Sequence, residues 1–174
     1  MLNTKLISKI FGSLLLIEAL LMSCSLGVAL YYGGSDVMPF TWSVVVLIAA
    51  GVAFRLLGLK ASNALSRRDA YFVVTTVWVL FTIFGMMPFL IGGYLHSVTD
   101  AFFETISGFT TTGATIIDYP ERLPRGLLFW RSITQWIGGL GIVFFTIAIL
   151  PSFVGGSTRV FAAEATGPIV TKLH

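Results

Sequence analysis

The sequence predicts an all-α integral membrane protein of four transmembrane helices plus one re-entrant helix and the loop that follows it. Three observations carry that prediction. Hydrophobic residues make up 56% of the 174 and charged residues only 11%, whereas a soluble domain carries about 25% charge. The mean hydropathy is +0.90, so much of the surface must face something other than water. The apolar residues also gather into runs near the roughly 20 residues that cross a hydrocarbon core, and short segments between the runs hold most of the charge. The length fits one covalent domain.

The first run extends from about Ile10 to Tyr32, with Glu18 its only charge. Lys5 and Lys9 precede it as in a signal peptide, but the run is too long for a signal core and contains an acid. Gly33-Gly34-Ser35-Asp36 then reads as a turn. The second run extends from about Met38 to Gly58, with Arg55 near its end. Arg67-Arg68-Asp69 opens the third, Ala70 to Leu95, which carries no charge and in which Gly85 and Pro88 suggest packing and a local bend. The fourth extends from about Leu127 to Val154, with Arg131 one turn in.

The basic residues orient these runs. With the N-terminus in the cytoplasm, Lys5, Lys9, Arg55, Lys60, Arg67, Arg68, Arg159 and Lys172 lie inside, and only Arg122, Arg125 and Arg131 lie outside, a positive-inside bias. Asp36, Asp100, Glu104, Asp118 and Glu121 then lie toward the outer face. The net charge of +3 is spread between the runs rather than gathered on a patch, which argues against a nucleic-acid partner. Cys24, the single cysteine, sits in an apolar run and reads as a small packing residue. His96 and His174 lack partners at metal-ligand spacing. The sequence holds no Ser/His/Asp set, Walker loop, dinucleotide fingerprint or zinc motif, so an enzyme is not expected.

Between the third and fourth runs, His96 to Arg125 is too apolar for an ordinary loop. Ser97-Val98-Thr99-Asp100 fits a capping box in its Ser-x-x-acid form. Phe102, Ile106 and Phe109 recur on one helical face, and Asp100, Glu104 and Ser107 form the opposite, polar face. Val98–Phe109 is therefore predicted as an amphipathic helix about 18 Å long, which reaches about half way through the hydrocarbon core. Thr110-Thr111-Thr112-Gly113-Ala114-Thr115 follows, with no apolar side chain larger than a methyl and no helical period. The chain then returns through Ile116–Tyr119 to Asp118, Glu121, Arg122 and Arg125. A half-length helix, a small polar segment and a return to the same side is the pattern of a re-entrant pore loop, which is tolerated at membrane depth where it lines a water-filled path. A surface amphipathic helix with a Thr-rich loop fits the same composition. In a pore loop the chemistry lies in the backbone. A dehydrated cation needs several oxygen dipoles at close range, and four extended runs of small residues can supply them. Gly113 provides a conformation other residues reach only with strain, the half-helix aims its negative C-terminal end at the ion, and Thr hydroxyls can add an oxygen layer.

The stretch Phe103-Glu104-Thr105-Ile106-Ser107-Gly108-Phe109-Thr110-Thr111-Thr112-Gly113-Ala114-Thr115 resembles the first pore loop of the Trk/Ktr/HKT potassium transporters, most closely the bacterial TrkH branch. Phe129-Trp130-Arg131-Ser132-Ile133-Thr134-Gln135-Trp136-Ile137-Gly138-Gly139-Leu140-Gly141 and Ala163-Glu164-Ala165-Thr166-Gly167-Pro168 are similar to that branch as well, and so is the extra pair of spans before the pore loop. The resemblance implies a protein of the bacterial cytoplasmic (inner) membrane. It also implies four unlike repeats of helix, pore loop and helix around one pore. On this resemblance the filter glycine maps onto Gly113, carbonyls of Thr111 and Thr112 would coordinate potassium, and Thr110, Ala114 and Thr115 would complete the filter segment. Further implied are a dimer of the full-length protein and a cytoplasmic nucleotide-binding TrkA-type regulatory subunit. On this reading residues 1–60 are an N-terminal helix pair, 61–154 the first repeat, and 155–174 a linker toward a second repeat that this sequence does not contain. The remaining three repeats would come from a longer chain or from other copies. A homotetrameric cation channel and a non-conducting membrane interaction subunit are the other readings.

Two side chains are expected to support the filter. Glu104 lies deep and is costly there unless paired or hydrogen-bonded. Arg131 can pair with Glu104 or Asp118, or can snorkel to the interface. Glu18 reads as a helix-contact residue. Gly138, Gly139 and Gly141 read as close-packing positions ahead of a gating hinge.

Overall fold

A computed structural model describes residues 3–59, 61 and 66–141. Among these residues every regular element is helical. α1 spans Thr4–Tyr32 and α2 spans Val37–Leu57. At 29 residues, α1 is about 43 Å long and begins one and a half turns before the apolar run. Asn3 caps it, its side chain accepting from the Leu6 N–H. Gly33 ends it at φ +60, with Gly33 N–H donating to Leu30 and Gly34 N–H to Ala29, the Schellman arrangement that favours glycine at the left-handed position.

α1 and α2 lie in close backbone contact. A Cβ on Gly12 would stand 2.6 Å from the Gly51 carbonyl oxygen, and one on Gly58 would stand 2.7 Å from that of Lys5. Small residues let two membrane helices approach in this way, and Ser8 Oγ adds a 2.8 Å bond to the Phe54 carbonyl.

The third run is divided. α3 spans Arg67–Gly85 and α4 spans Met87–Ile91, with Met86 between them. Pro88 has no N–H to continue the ladder, so both Phe89 and Leu90 N–H turn to the Met86 carbonyl. Ser66 starts α3 with a reciprocal capping box to Asp69, and Asp69 also accepts from the Asn3 N–H at 3.2 Å. That bond brings the start of α1 beside the start of α3. Beyond the end of α4, Gly93 has φ +66 and repeats the Gly33 bonding pattern.

α5 spans Val98–Phe109 as expected, a short 3-10 turn covers Pro120–Arg122, and α6 begins at residue 125 and continues through 141. Residues 142–154, the rest of the expected fourth span, lie outside the described residues, as do the 155–174 linker, Lys60, Arg159 and Lys172. The described residues up to Gly138 form one packing unit. Its core gathers Leu15, Met22, Phe40, Leu47, Phe89, Phe109, Leu127 and Trp130. The helix pair therefore shares one core with the elements around the re-entrant loop.

Three segments, Thr4–Tyr32, Val37–Leu57 and Arg68–Ile91, are long and apolar enough to cross a membrane, and only 33%, 33% and 28% of their most apolar windows are buried. The rest is exposed in this chain, open to lipid or to further protein. Cys24 belongs to that outer face: it is exposed, not packed in the core as its neighbours suggested. Glu18 is wholly buried, and its Oε1 would lie 3.2 Å from a Cβ on Gly85, so it stands at a contact between α1 and the end of α3.

Candidate functional site

The site is built on the C-terminal end of α5. Ser97 caps the helix, its hydroxyl accepting from the Asp100 N–H at 3.4 Å. At the other end the chain repeats the bonding seen at Gly33 and Gly93. Thr111 N–H donates to the Gly108 carbonyl at 3.0 Å and Thr112 N–H to the Ser107 carbonyl at 3.0 Å. The left-handed residue here is Thr111, at φ +56, the only described non-glycine residue with positive φ. A left-handed L-residue costs roughly 1–2 kcal/mol, and a β-branched one is an outlier. Sequence reasoning placed the conformational demand on Gly113 alone. Gly113 does have φ +74, but Thr111 shares the demand.

Those bonds fix where the carbonyls point. In a trans peptide the C=O of one residue and the N–H of the next are antiparallel, and among the described residues there are no cis bonds. The N–H groups of Thr111, Thr112 and, at 3.5 Å, Gly113 point back at α5. The carbonyls of Thr110, Thr111 and Thr112 therefore point away from it, on a segment that is exposed from residue 110 to 116. Among the described residues no donor reaches these three oxygens. Ala114 differs, because its carbonyl turns back to accept the Ser107 hydroxyl at 2.6 Å. The Thr110 hydroxyl is bonded to the Ile106 carbonyl at 2.7 Å and to the Thr112 hydroxyl at 2.8 Å.

The return limb is anchored by Glu104. Its carboxylate accepts from Thr115 Oγ1 at 2.9 Å and from the Ile116 N–H at 3.0 Å. It pairs with Arg131 Nη2 at 2.7 Å, and the side chains are 3% and 21% exposed, respectively. Arg131 also donates to Thr115 Oγ1 at 3.3 Å. Of the alternatives open to Arg131, the structure realises the pair with Glu104. The polar face of α5 is thus not a wet face. Glu104 and Ser107 are buried because they hold the loop, and of the apolar face only Phe109 is fully buried.

α6 closes the site from the other side. Trp130 is buried and donates Nε1 to the Gly85 carbonyl at 2.9 Å, one of the groups orphaned where α3 breaks. Phe109 packs between Phe81 and Trp130, with ring centroids 5.6 and 6.4 Å away. Two glycines allow the approach. A Cβ on Gly108 would collide with the Thr134 hydroxyl, and one on Gly138 would collide with the Phe109 carbonyl and lie 3.1 Å from Thr111 Cγ2. Gly138 is therefore a packing glycine. The roles of Gly108 and Trp130 escaped sequence reasoning. An isolated glycine inside a helical pattern was the available signal for Gly108, and an indole in an apolar run, with Trp136 six residues on, gave none for Trp130.

Among the described residues no three His, Cys, Asp or Glu side chains gather as metal ligands. What the site presents is a short, strained strip of backbone oxygens, held by N–H bonds to the end of α5 and braced on its return side by Ser107, Glu104 and Arg131.

Known proteins resemble this chain in sequence and in fold. The crystal structure of the potassium transporter TrkH from Vibrio parahaemolyticus superposes with a TM-score of 0.79 at 38% identity, covering 84% of this chain and 32% of that one. The Trk system potassium uptake protein TrkH of that organism is 37% identical over 164 residues, 94% of this chain and 34% of the relative. The Trk system potassium uptake protein TrkG of Escherichia coli is 32% identical over 167 residues, 95% of this chain and 34% of the relative. The chain thus spans about a third of the length of these relatives. Residues 37–173 match the TrkH family, described as cation transport protein. The chain belongs to the TrkH family of cation transport proteins.

Proposed function

We propose that this chain supplies one of four filter segments in a potassium uptake pore of the bacterial cytoplasmic membrane. The observation that carries the reading is the outward-facing row of carbonyls from Thr110, Thr111 and Thr112, fixed by N–H bonds to the end of α5. Such a row can replace part of a cation's hydration shell, and four together can replace most of it. The carbonyls of Thr111 and Thr112 are the proposed potassium ligands, and Gly113 permits the turn beyond them. Ala114 and Thr115 belong to the braced flank, where Ser107, Glu104 and Arg131 hold them. Potassium is the transported ion here rather than a resident cofactor.

The names of the relatives, potassium uptake proteins of Trk systems, support the choice of ion. In this reading residues 1–60 are the helix pair, 61–154 the first helix–loop–helix repeat and 155–174 a linker, with the N-terminus cytoplasmic. The other three filter segments come from further repeats of the same polypeptide or from further copies. The full-length dimer and the cytoplasmic nucleotide-binding regulatory subunit are part of the same proposal.

Gly113→Ala is a clean test. Within this chain an added Cβ meets nothing within 4 Å, so here the substitution acts through backbone conformation, straining it by roughly 1–2 kcal/mol. In cells producing the complete transporter, Gly113→Ala should abolish Rb+ uptake or shift it toward Na+. Uptake and selectivity equal to wild type, at equal amounts of protein in the membrane, would rule out the filter role.

A further inference from the structure

Asp36 lies in the turn between α1 and α2, remote in sequence from the filter. It is wholly buried. It occupies the N-cap position of α2 yet makes no side-chain bond to that helix. Its Oδ2 instead accepts from the Leu127 N–H at 3.0 Å, 91 residues away. Leu127 is the third residue of α6, whose first-turn N–H groups have no intrahelical acceptor. The residue before α6 is Pro124, which has no side-chain oxygen to cap with. Asp36 supplies the missing cap from another helix, and its charge suits the positive end of α6.

The space around the carboxylate is shaped for this. A Cβ on Gly34 would collide with Asp36 Oδ1, and one on Gly126 would collide with Oδ2. The same Cβ on Gly126 would lie 2.8 Å from Ala29 Cβ and 3.1 Å from Phe40 Cε2. The first turn of α6 is thus seated between the end of α1 and the start of α2. One turn further along, about 6 Å, α6 presents Arg131 to Glu104 and Thr115, and beyond that it presents Thr134 and Gly138 to the end of α5.

We infer that Asp36 is a positioning residue for ion selectivity: by capping α6 it sets the height and rotation at which Arg131 braces the filter flank. This rests on the filter reading above. The N-terminal helix pair then has a function in selectivity besides membrane anchorage.

The test compares Asp36→Ala, Asp36→Asn, Gly34→Ala and Gly113→Ala in cells producing the complete transporter, with Rb+ and Na+ uptake normalised to protein in the membrane. Asp36→Ala should lower the Rb+ to Na+ ratio by about threefold or more and raise the KM for Rb+. Asp36→Asn keeps an acceptor oxygen and should recover most of the ratio. Gly34→Ala keeps the carboxylate but crowds its Oδ1, which should turn Oδ2 away from Leu127 and act in the same direction as Asp36→Ala; it decides the matter where Asp36→Ala does not reach the membrane. Reduced protein with an unchanged ratio and KM in both Asp36→Ala and Gly34→Ala, while Gly113→Ala shifts the ratio, overturns this inference and leaves the filter standing. An unchanged ratio in Gly113→Ala as well overturns both.

Discussion

Removing the carboxylate of Glu104 should loosen the filter flank through its partners, and a double-substitution cycle measures how far. Glu104 accepts from Thr115, Ile116 and Arg131 at 2.9, 3.0 and 2.7 Å. In Glu104→Gln the side-chain amide keeps one acceptor and turns an NH2 toward a donor. Breaking a buried ion pair from one side costs about 3–5 kcal/mol. Arg131 is 21% exposed and can recover water, which brings the expected cost to about 2 kcal/mol. The Rb+ to Na+ uptake ratio of the complete transporter, expressed as RT ln of the ratio, gives a free energy without requiring reversible unfolding. If about half of that cost appears in selectivity, Glu104→Gln and Arg131→Met should each lower the ratio several-fold. The double variant should be no worse than the more severe single one, a coupling of about 1 kcal/mol or more. Strictly multiplicative effects would refute the reasoning, because they would mean that the two side chains act on selectivity independently.

Three further outcomes follow from the same geometry. Thr111→Gly removes the left-handed strain and should raise the melting temperature of the detergent-solubilised transporter, by about 1 kcal/mol of stability, while lowering selectivity; a lower melting temperature would contradict the strain. Gly138→Ala drives a methyl into the Phe109 carbonyl and should cost about 1–3 kcal/mol, read as lost protein in the membrane and lost Rb+ uptake; wild-type levels of both would contradict the close approach. Trp130→Phe leaves the Gly85 carbonyl buried without its donor and should destabilise by about 1–3 kcal/mol, read as a lower melting temperature with the Rb+ to Na+ ratio largely kept; an unchanged melting temperature would contradict the bond.

Local signals carried much of this fold into the sequence. α5 was legible at both ends because Ser97 marks its start and loss of the 3.6-residue period at Thr110 marks its end. Gly113 was legible because a lone glycine in a threonine run has one obvious use. Other features depend on partners far away in the chain. A paired Glu104 was expected from the cost of a lone deep acid, but its bonds to Thr115 and Ile116 exist only once the return limb has folded over the polar face of α5. Thr111 gives no warning of a left-handed conformation, since threonine is a poor choice there; the other two helix ends of this type use Gly33 and Gly93. Pro88 announced a bend, but the donor that makes the break tolerable sits on Trp130, 45 residues from Gly85. Asp36 read as one of several outer acids, and only its burial beside Leu127 sets it apart.

The most direct test of the central claim is the position of the ion. Crystals of the complete transporter grown in Rb+ would locate it by anomalous scattering. An anomalous peak is expected on the pore axis, faced by the carbonyl oxygens of Thr111 and Thr112. Rb+ bound elsewhere along the pore, with no peak at those two carbonyls, would contradict it.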